Sequence, residues 1–322
     1  MQRRSGVRLA VAVLAALGLV AGSAAPLCAQ AWVPPRGEGT VTATFQTYVV
    51  PGHFDRFGRK NNNGGTFTQT LILDLDYGVT DTWALNISLP FIASKYTGPP
   101  TYFVGPFETH PGPLDTGKYH AAFQDLRVEA RRMFLTGPIA VAPFVGALLP
   151  THEYETVGEA VPGRHRSEIQ VGAAASAELA PVLHILSGTV LHARYAYAAS
   201  ERVDDLPFTR STIDLEGHQP VASRVALRAL FRWQIAHTGP ELSELEHDWT
   251  HHDRFIAPSY FNVGAGTSVS LTRSTDLDFL WIRTVSGRNG AHRARLLSVG
   301  ATWSFGGSLA GLGIGGALEQ SP

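Results

Sequence analysis

The chain is 322 residues long with a formal net charge of −1 and only 16% charged residues, well below the roughly 25% usual in soluble domains. No apolar run past residue 31 approaches the roughly 20 residues a spanning helix needs, and 6 Trp, 9 Tyr and 16 Phe argue against extended disorder. A charge balance this even also speaks against a nucleic-acid partner, which leaves a Gly-rich, aromatic-rich all-β chain.

Arg3, Arg4 and Arg8 precede an apolar stretch from Leu9 to Val20, and Ala29-Gln30-Ala31 supplies the small residues a signal peptidase needs. The expectation is a cleaved signal peptide over 1–31, with Trp32 first in the mature chain. An uncleaved anchor is the alternative, disfavoured by Gly18, Gly22, Ser23 and Pro26. The only cysteine, Cys28, lies in the leader, so neither disulfides nor thiolates serve the rest of the chain.

Beyond the leader the pattern has period two. Leu71, Leu73, Leu75 and Tyr77 alternate with Thr70, Ile72, Asp74 and Asp76. After the turn at 79–82, Trp83, Leu85, Ile87, Leu89 and Phe91 resume the alternation. Read this way the chain gives twelve strands, over 39–50, 67–78, 83–95, 119–134, 139–151, 167–180, 184–199, 210–218, 223–237, 259–271, 276–287 and 294–306. Short connections at 79–82, 135–138, 181–183, 219–222 and 272–275 alternate with longer ones at 51–66, 96–118, 152–166, 200–209, 238–258 and 288–293. An even strand number with short turns at one end and long loops at the other is the pattern of a transmembrane antiparallel up-and-down β-barrel, short turns periplasmic and long loops external. The barrel is expected over 32–306, with a flexible Gly-rich tail at 307–322 or, as a rival, a thirteenth short strand.

A soluble sandwich would bury the apolar face; a membrane barrel exposes it. Three features favour the barrel. The chain has only Lys60, Lys95 and Lys118, where a water-facing sheet would carry many lysines. Aromatics expected near strand ends (Tyr77, Trp83, Phe134, Trp233, Trp281, Trp303, Phe305) suit an interfacial girdle. The last strand, Ser298 to Phe305, resembles the assembly signal of outer-membrane proteins through Gly300, Trp303 and Phe305. The expected location is the outer membrane of a Gram-negative bacterium, with outer-membrane lipid and the barrel-assembly machinery as partners.

With apolar residues outward, parity sends the charges inward. The inward set comprises Asp125, Arg127, Glu129 and Arg131, then His192 and Arg194, Asp214 and Glu216, and the ladder Arg224, Arg228 and Arg232. Asp74, Asp76, His218 and Asp278 join it, while Gly172, Gly188, Gly264, Gly266 and Gly300 are expected to leave room inside. Twelve strands sit between a filled eight-stranded barrel and an open sixteen-stranded pore. Two readings therefore stand: a narrow channel for a small-molecule solute, with these charges at its constriction, or a salt-bridged plug that stiffens a closed structural or adhesive barrel. Arg132 and Arg283 have outward parity and are expected to snorkel to lipid head groups. The cluster His247-Asp248-Trp249-Thr250-His251-His252-Asp253 sits in a long loop with no helix to fix ligands, so no metal or other cofactor is expected. No outward Ser is evident for His192, so no catalytic residues are assigned.

Leu75-Asp76-Tyr77-Gly78-Val79-Thr80-Asp81-Thr82-Trp83, running on to Ser88-Leu89-Pro90, resembles a hairpin of the MetA-pathway phenol-degradation outer-membrane transporter family. Phe123-Gln124-Asp125-Leu126, Pro143-Phe144-Val145, Leu149-Pro150-Thr151, His252-Asp253-Arg254 and Ser286-Gly287-Arg288-Asn289-Gly290 are similar to further motifs of that family, although it more often has Gly where Gln124 stands. The resemblance implies an outer-membrane barrel that moves small, often aromatic or hydrophobic compounds, and it carries no catalytic residues.

Overall fold

A computed structural model describes residues 31–306 except 63, 101, 105–107, 180–187, 242–253 and 255. The expected signal peptide (but for Ala31), the tail and the 247–253 cluster lie outside the described residues. Among those described, no helix is long and apolar enough to cross a membrane.

The sheet is built of β1 (Gly39–Val50), β2 (Gly65–Gly78), β3 (Trp83–Thr97), β4 (His120–Phe123 and Leu126–Arg132), β5 (Ile139–Leu149), β6 (Glu168–Glu178), β7 (Val190–Val203), β8 (Leu206–Ala222), β9 (Val225–Thr238), β10 (Ser259–Ser270), β11 (Thr275–Arg288) and β12 (Arg295–Phe305). Each strand pairs antiparallel with its sequence neighbours, and β12 returns to β1 with Gly39 opposite Phe305. The barrel is closed, so it has no free edge. β4 is broken at Gln124-Asp125, opposite Pro90 of β3, whose ring nitrogen has no hydrogen to give the ladder. Gln124 still donates to the Pro90 carbonyl at 2.9 Å.

The twelve expected strands are all present, but two connections differ. The loop expected at 200–209 is a tight hairpin: β7 and β8 run on until Val203 faces Leu206. Asp204 and Asp205 both adopt positive φ (49° and 62°), the backbone of a two-residue turn whose twist matches its strands. At the other end β8 reaches Ala222, opposite Val225, so Ser223 and Arg224 form the turn. The expected start of the seventh strand at 184 falls among residues not described; β7 is seen from Val190.

Burial follows the parity of the strands. Phe45, Leu71, Leu73, Val145, Val171, Leu215, Leu227, Phe231 and Val299 are exposed on the outer wall, whereas Thr42, Glu129, Ser176, Glu216, Ser268, Asp278 and Thr302 are buried inside. Aromatics gather at both rims, Trp83, Phe134 and Trp303 on the short-turn side and Phe123 and Trp233 toward the loops. Trp281 departs from the expectation, lying mid-strand opposite Ala265 and Leu297. Arg132 and Arg283 are exposed on the outer wall, Arg132 with its guanidinium 5.8 Å from the Trp83 ring.

Candidate functional site: the charged interior

The short-turn end of the interior is filled. Residues 31–35 lie inside the barrel, ahead of β1. The Ala31 N–H donates to Ser176 Oγ at 3.0 Å, Ala31 packs on Ala140, Ala142 and Ala174, and the Trp32 ring meets His192 edge-on at 5.8 Å. Arg131 ties this segment to the wall, bonding both oxygens of Asp76 (2.7 and 2.6 Å) and the Trp32 carbonyl at 3.3 Å.

Beside it lies a second buried group. Arg228 Nε donates to Glu216 at 2.8 Å and its Nη1 to Asp278 at 2.7 Å. His218 shares a 2.9 Å bond with Glu216, and the Ser268 hydroxyl donates to Asp278. The His192 ring stands 5.4 Å from His218 and its Nδ1 is 2.7 Å from Ser176 Oγ. Ions this dry are tolerable only because each carboxylate faces a guanidinium. Near the closing seam the hydroxyls of Thr42 and Thr302 bond at 3.0 Å.

At mid-height buried charges stand beside exposed ones. Arg194 grips Glu129 with two bonds (3.1 and 2.7 Å) and lies over Phe144, 3.6 Å from its ring centroid. That ring lies across Gly172, where a Cβ would sit 2.7 Å from it; Gly172 thus admits Phe144 rather than leaving open space. Gly188 lies outside the strands, in the connection before β7. Arg127 reaches Glu129 at 2.7 Å and Arg232 reaches Asp214 at 2.5 Å, yet their side chains are 35% and 45% exposed.

The loops pack over the opposite mouth. Asp115 accepts from the backbone N–H groups of Gly112 (3.3 Å), Glu159 (3.1 Å) and Ala160 (3.0 Å), so one carboxylate latches two loops. Burial holds that carboxyl above the usual range, with the three N–H groups pulling the other way. Asp125 accepts a 2.5 Å bond from the Tyr154 hydroxyl, and Glu168 takes Arg210 with both oxygens.

Ten of the eleven charged positions singled out in the sequence thus lie on the inner wall or at its mouth. Arg224 does not: it occupies the turn after Ser223, because β8 outruns its expected end. Asp76 and Arg131 come together, as do Glu129 with Arg127 and Arg194, Asp214 with Arg232, and Glu216 with Arg228. Gly300 faces Thr44 and Asp278 across the ladders, while the rings of Trp303 and Phe305 lie 5.6 Å apart and that of Phe305 stacks on Tyr77 at 6.4 Å. The sequence reading missed Ser176, Glu168 and Arg210, though each has the parity that would have found it. It also missed the 31–35 segment, which carries no periodic signal.

A closed barrel of twelve antiparallel strands, apolar outside and ion-paired inside, is a transmembrane β-barrel. Solved structures of similar fold include an outer membrane channel from Pseudomonas putida F1, with a TM-score of 0.63 at 15% identity over 88% of this chain and 100% of that one. The NanC porin (TM-score 0.45, 9% identity, 83% of this chain and 100% of that one) is a looser likeness. So is the CymD monoaromatic hydrocarbon channel (0.44, 10%, 89% of this chain and 95% of that one). No protein-family model matches the chain, and no curated protein does.

Proposed function

We propose that this protein is a narrow outer-membrane channel for the passive uptake of small molecules, exported by a cleaved signal peptide. Its short turns face the periplasm, and its last strand carries the signal read by the assembly machinery. The observation that carries the reading is the exposure of Arg127 and Arg232. Both point inward from mid-barrel, yet a third or more of each side chain is open to solvent. A barrel stiffened by a dry plug would bury them, as it would have to bury any charge in its core. The 32–35 segment, which follows the expected cleavage site, and the Arg131–Asp76 pair narrow the periplasmic end, which favours small solutes. The resemblance of the Leu75–Pro90 hairpin to phenol-degradation transporters supports aromatic or hydrophobic compounds among them.

Two measurements test this. In planar bilayers the purified protein is expected to conduct in small steps, and Arg127→Ala with Arg232→Ala to shift its selectivity toward cations. Proteoliposomes are expected to admit small aromatic solutes faster than protein-free vesicles. A barrel that passes neither ions nor solutes is a closed structural one.

A further inference from the structure

Arg283, expected from parity to reach lipid head groups, has a companion in the sheet. Arg283 of β11 and Arg295 of β12 stand directly opposite each other across the ladder, both exposed on the outer wall. Side chains so placed start only about 5 Å apart, and like charges there repel. Among the described residues neither arginine has a hydrogen-bond or ion-pair partner.

The same row of the sheet runs on from Arg295 to Val49, Phe67 and Lys95 on β1, β2 and β3. The Lys95 ammonium stands 5.4 Å from the Phe67 ring centroid and 4.8 Å from that of Tyr119. No carboxylate on the wall balances this row. The acids on the strands from β10 round to β3, Asp74, Asp76, Asp276 and Asp278, all lie on the inner face.

Height decides what meets these cations. Arg295 opens β12, and Lys95 lies two residues from the loop-side end of β3, so the row marks the loop-side limit of the wall. One outward position below the arginine pair come Trp281 and Leu297, also opposite each other and exposed. An amphiphile at this place sets its head group on the arginines and its chains on Trp281 and Leu297.

We propose that Arg283 and Arg295 together bind the phosphate monoester of an outer-leaflet glycolipid of the lipid A type, with Lys95 adding attraction from the same row. A phosphate monoester carries nearly two negative charges and three acceptor oxygens at neutral pH, enough to face two guanidiniums, each a fork of N–H donors. A phosphodiester head group brings a single charge and leaves one arginine of the pair uncompensated. The site rests on the long loops being external, and not on whether the barrel conducts.

The test is native mass spectrometry of the full-length protein in detergent, titrated with lipid A, dephosphorylated lipid A and phosphatidylglycerol, with inorganic phosphate as competitor. Binding in micelles is read whichever way the barrel inserts and whether or not it conducts. Lipid A is expected to bind saturably, at least about tenfold more tightly than the other two lipids, and to resist displacement by inorganic phosphate. Arg283→Gln with Arg295→Gln is expected to weaken lipid A at least about tenfold, the scale of the charge-assisted bonds removed, and Lys95→Gln to weaken it less. Arg132→Gln, at the opposite rim, is expected to leave binding unchanged. Thermal unfolding separates loss of the site from loss of the fold: lipid A is expected to raise the midpoint of the wild type and not of the double variant. Without lipid the double variant is expected to be at least as stable as the wild type, because a like-charge pair is gone. Should it not fold, Arg295→Gln alone is read in the same way. Wild type without saturable lipid A binding, equal binding of either other lipid, displacement by inorganic phosphate, undiminished binding in the double variant, or an equal loss in Arg132→Gln overturns the proposal.

Discussion

Arg228 and Arg232, four residues apart on one face of β9, point the same way and live in different media. Arg228 is buried between Glu216 and Asp278 at the short-turn level. Arg232, two inward positions higher with Leu230 between, bonds Asp214 and keeps nearly half its side chain open to solvent. The neighbours below explain the contrast. Arg228 shares its level with the His192–Ser176 pair and the inserted 32–35 segment, which displace water, whereas Arg232 stays open to solvent. One inner wall therefore uses the same residue type in two ways, as a brace where the interior is dry and as a lining where it is wet.

That contrast can be broken most forcefully at Arg228. Arg228→Ala leaves Glu216 and Asp278 buried without their cation and is expected to cost about 3–5 kcal/mol, read as a lowered unfolding midpoint in detergent. A loss no larger than that of Arg232→Ala would erase the distinction. Next in size is replacement of Trp32-Val33-Pro34-Pro35 by Gly-Ser-Gly-Ser. It is expected to raise single-channel conductance severalfold, because it lets water into the braced level; unchanged conductance would place the narrowest point elsewhere. Thr42→Val removes a buried hydroxyl partner of Thr302 and is expected to cost about 1 kcal/mol in the same unfolding assay. Smallest is Arg232→Ala, expected to change stability by less than about 1 kcal/mol, as for other solvated ion pairs.

What the sequence revealed of this contrast, and what it hid, follows from the length scale of each feature. Strand positions were readable because period-two alternation is local: Leu71 to Tyr77 and Trp83 to Phe91 display it without reference to anything distant. Sidedness was readable for the same reason, so Glu129, Arg194, Glu216 and Arg228 fall on the inner wall. Depth was not. Whether an inward arginine is dry depends on what else enters the barrel at its height, and Trp32-Val33-Pro34-Pro35 has no alternation to betray its position. The ends of strands were hidden too. Asp204-Asp205 reads as polar loop until both residues are seen at positive φ, and the extension of β8 to Ala222 moved Arg224 from the wall into a turn.

The seam between β1 and β12 joins the first and last stretches of the barrel across eleven facing pairs, from Gly39 with Phe305 to Val49 with Arg295. Neither edge can be satisfied by a local neighbour on that side. A chain cut short before residue 295 would therefore offer two unmated backbone rows to lipid, where nothing can hydrate them. Completion of this molecule is thus all or nothing: until its final stave arrives, the eleven strands before it have no stable resting form in a bilayer.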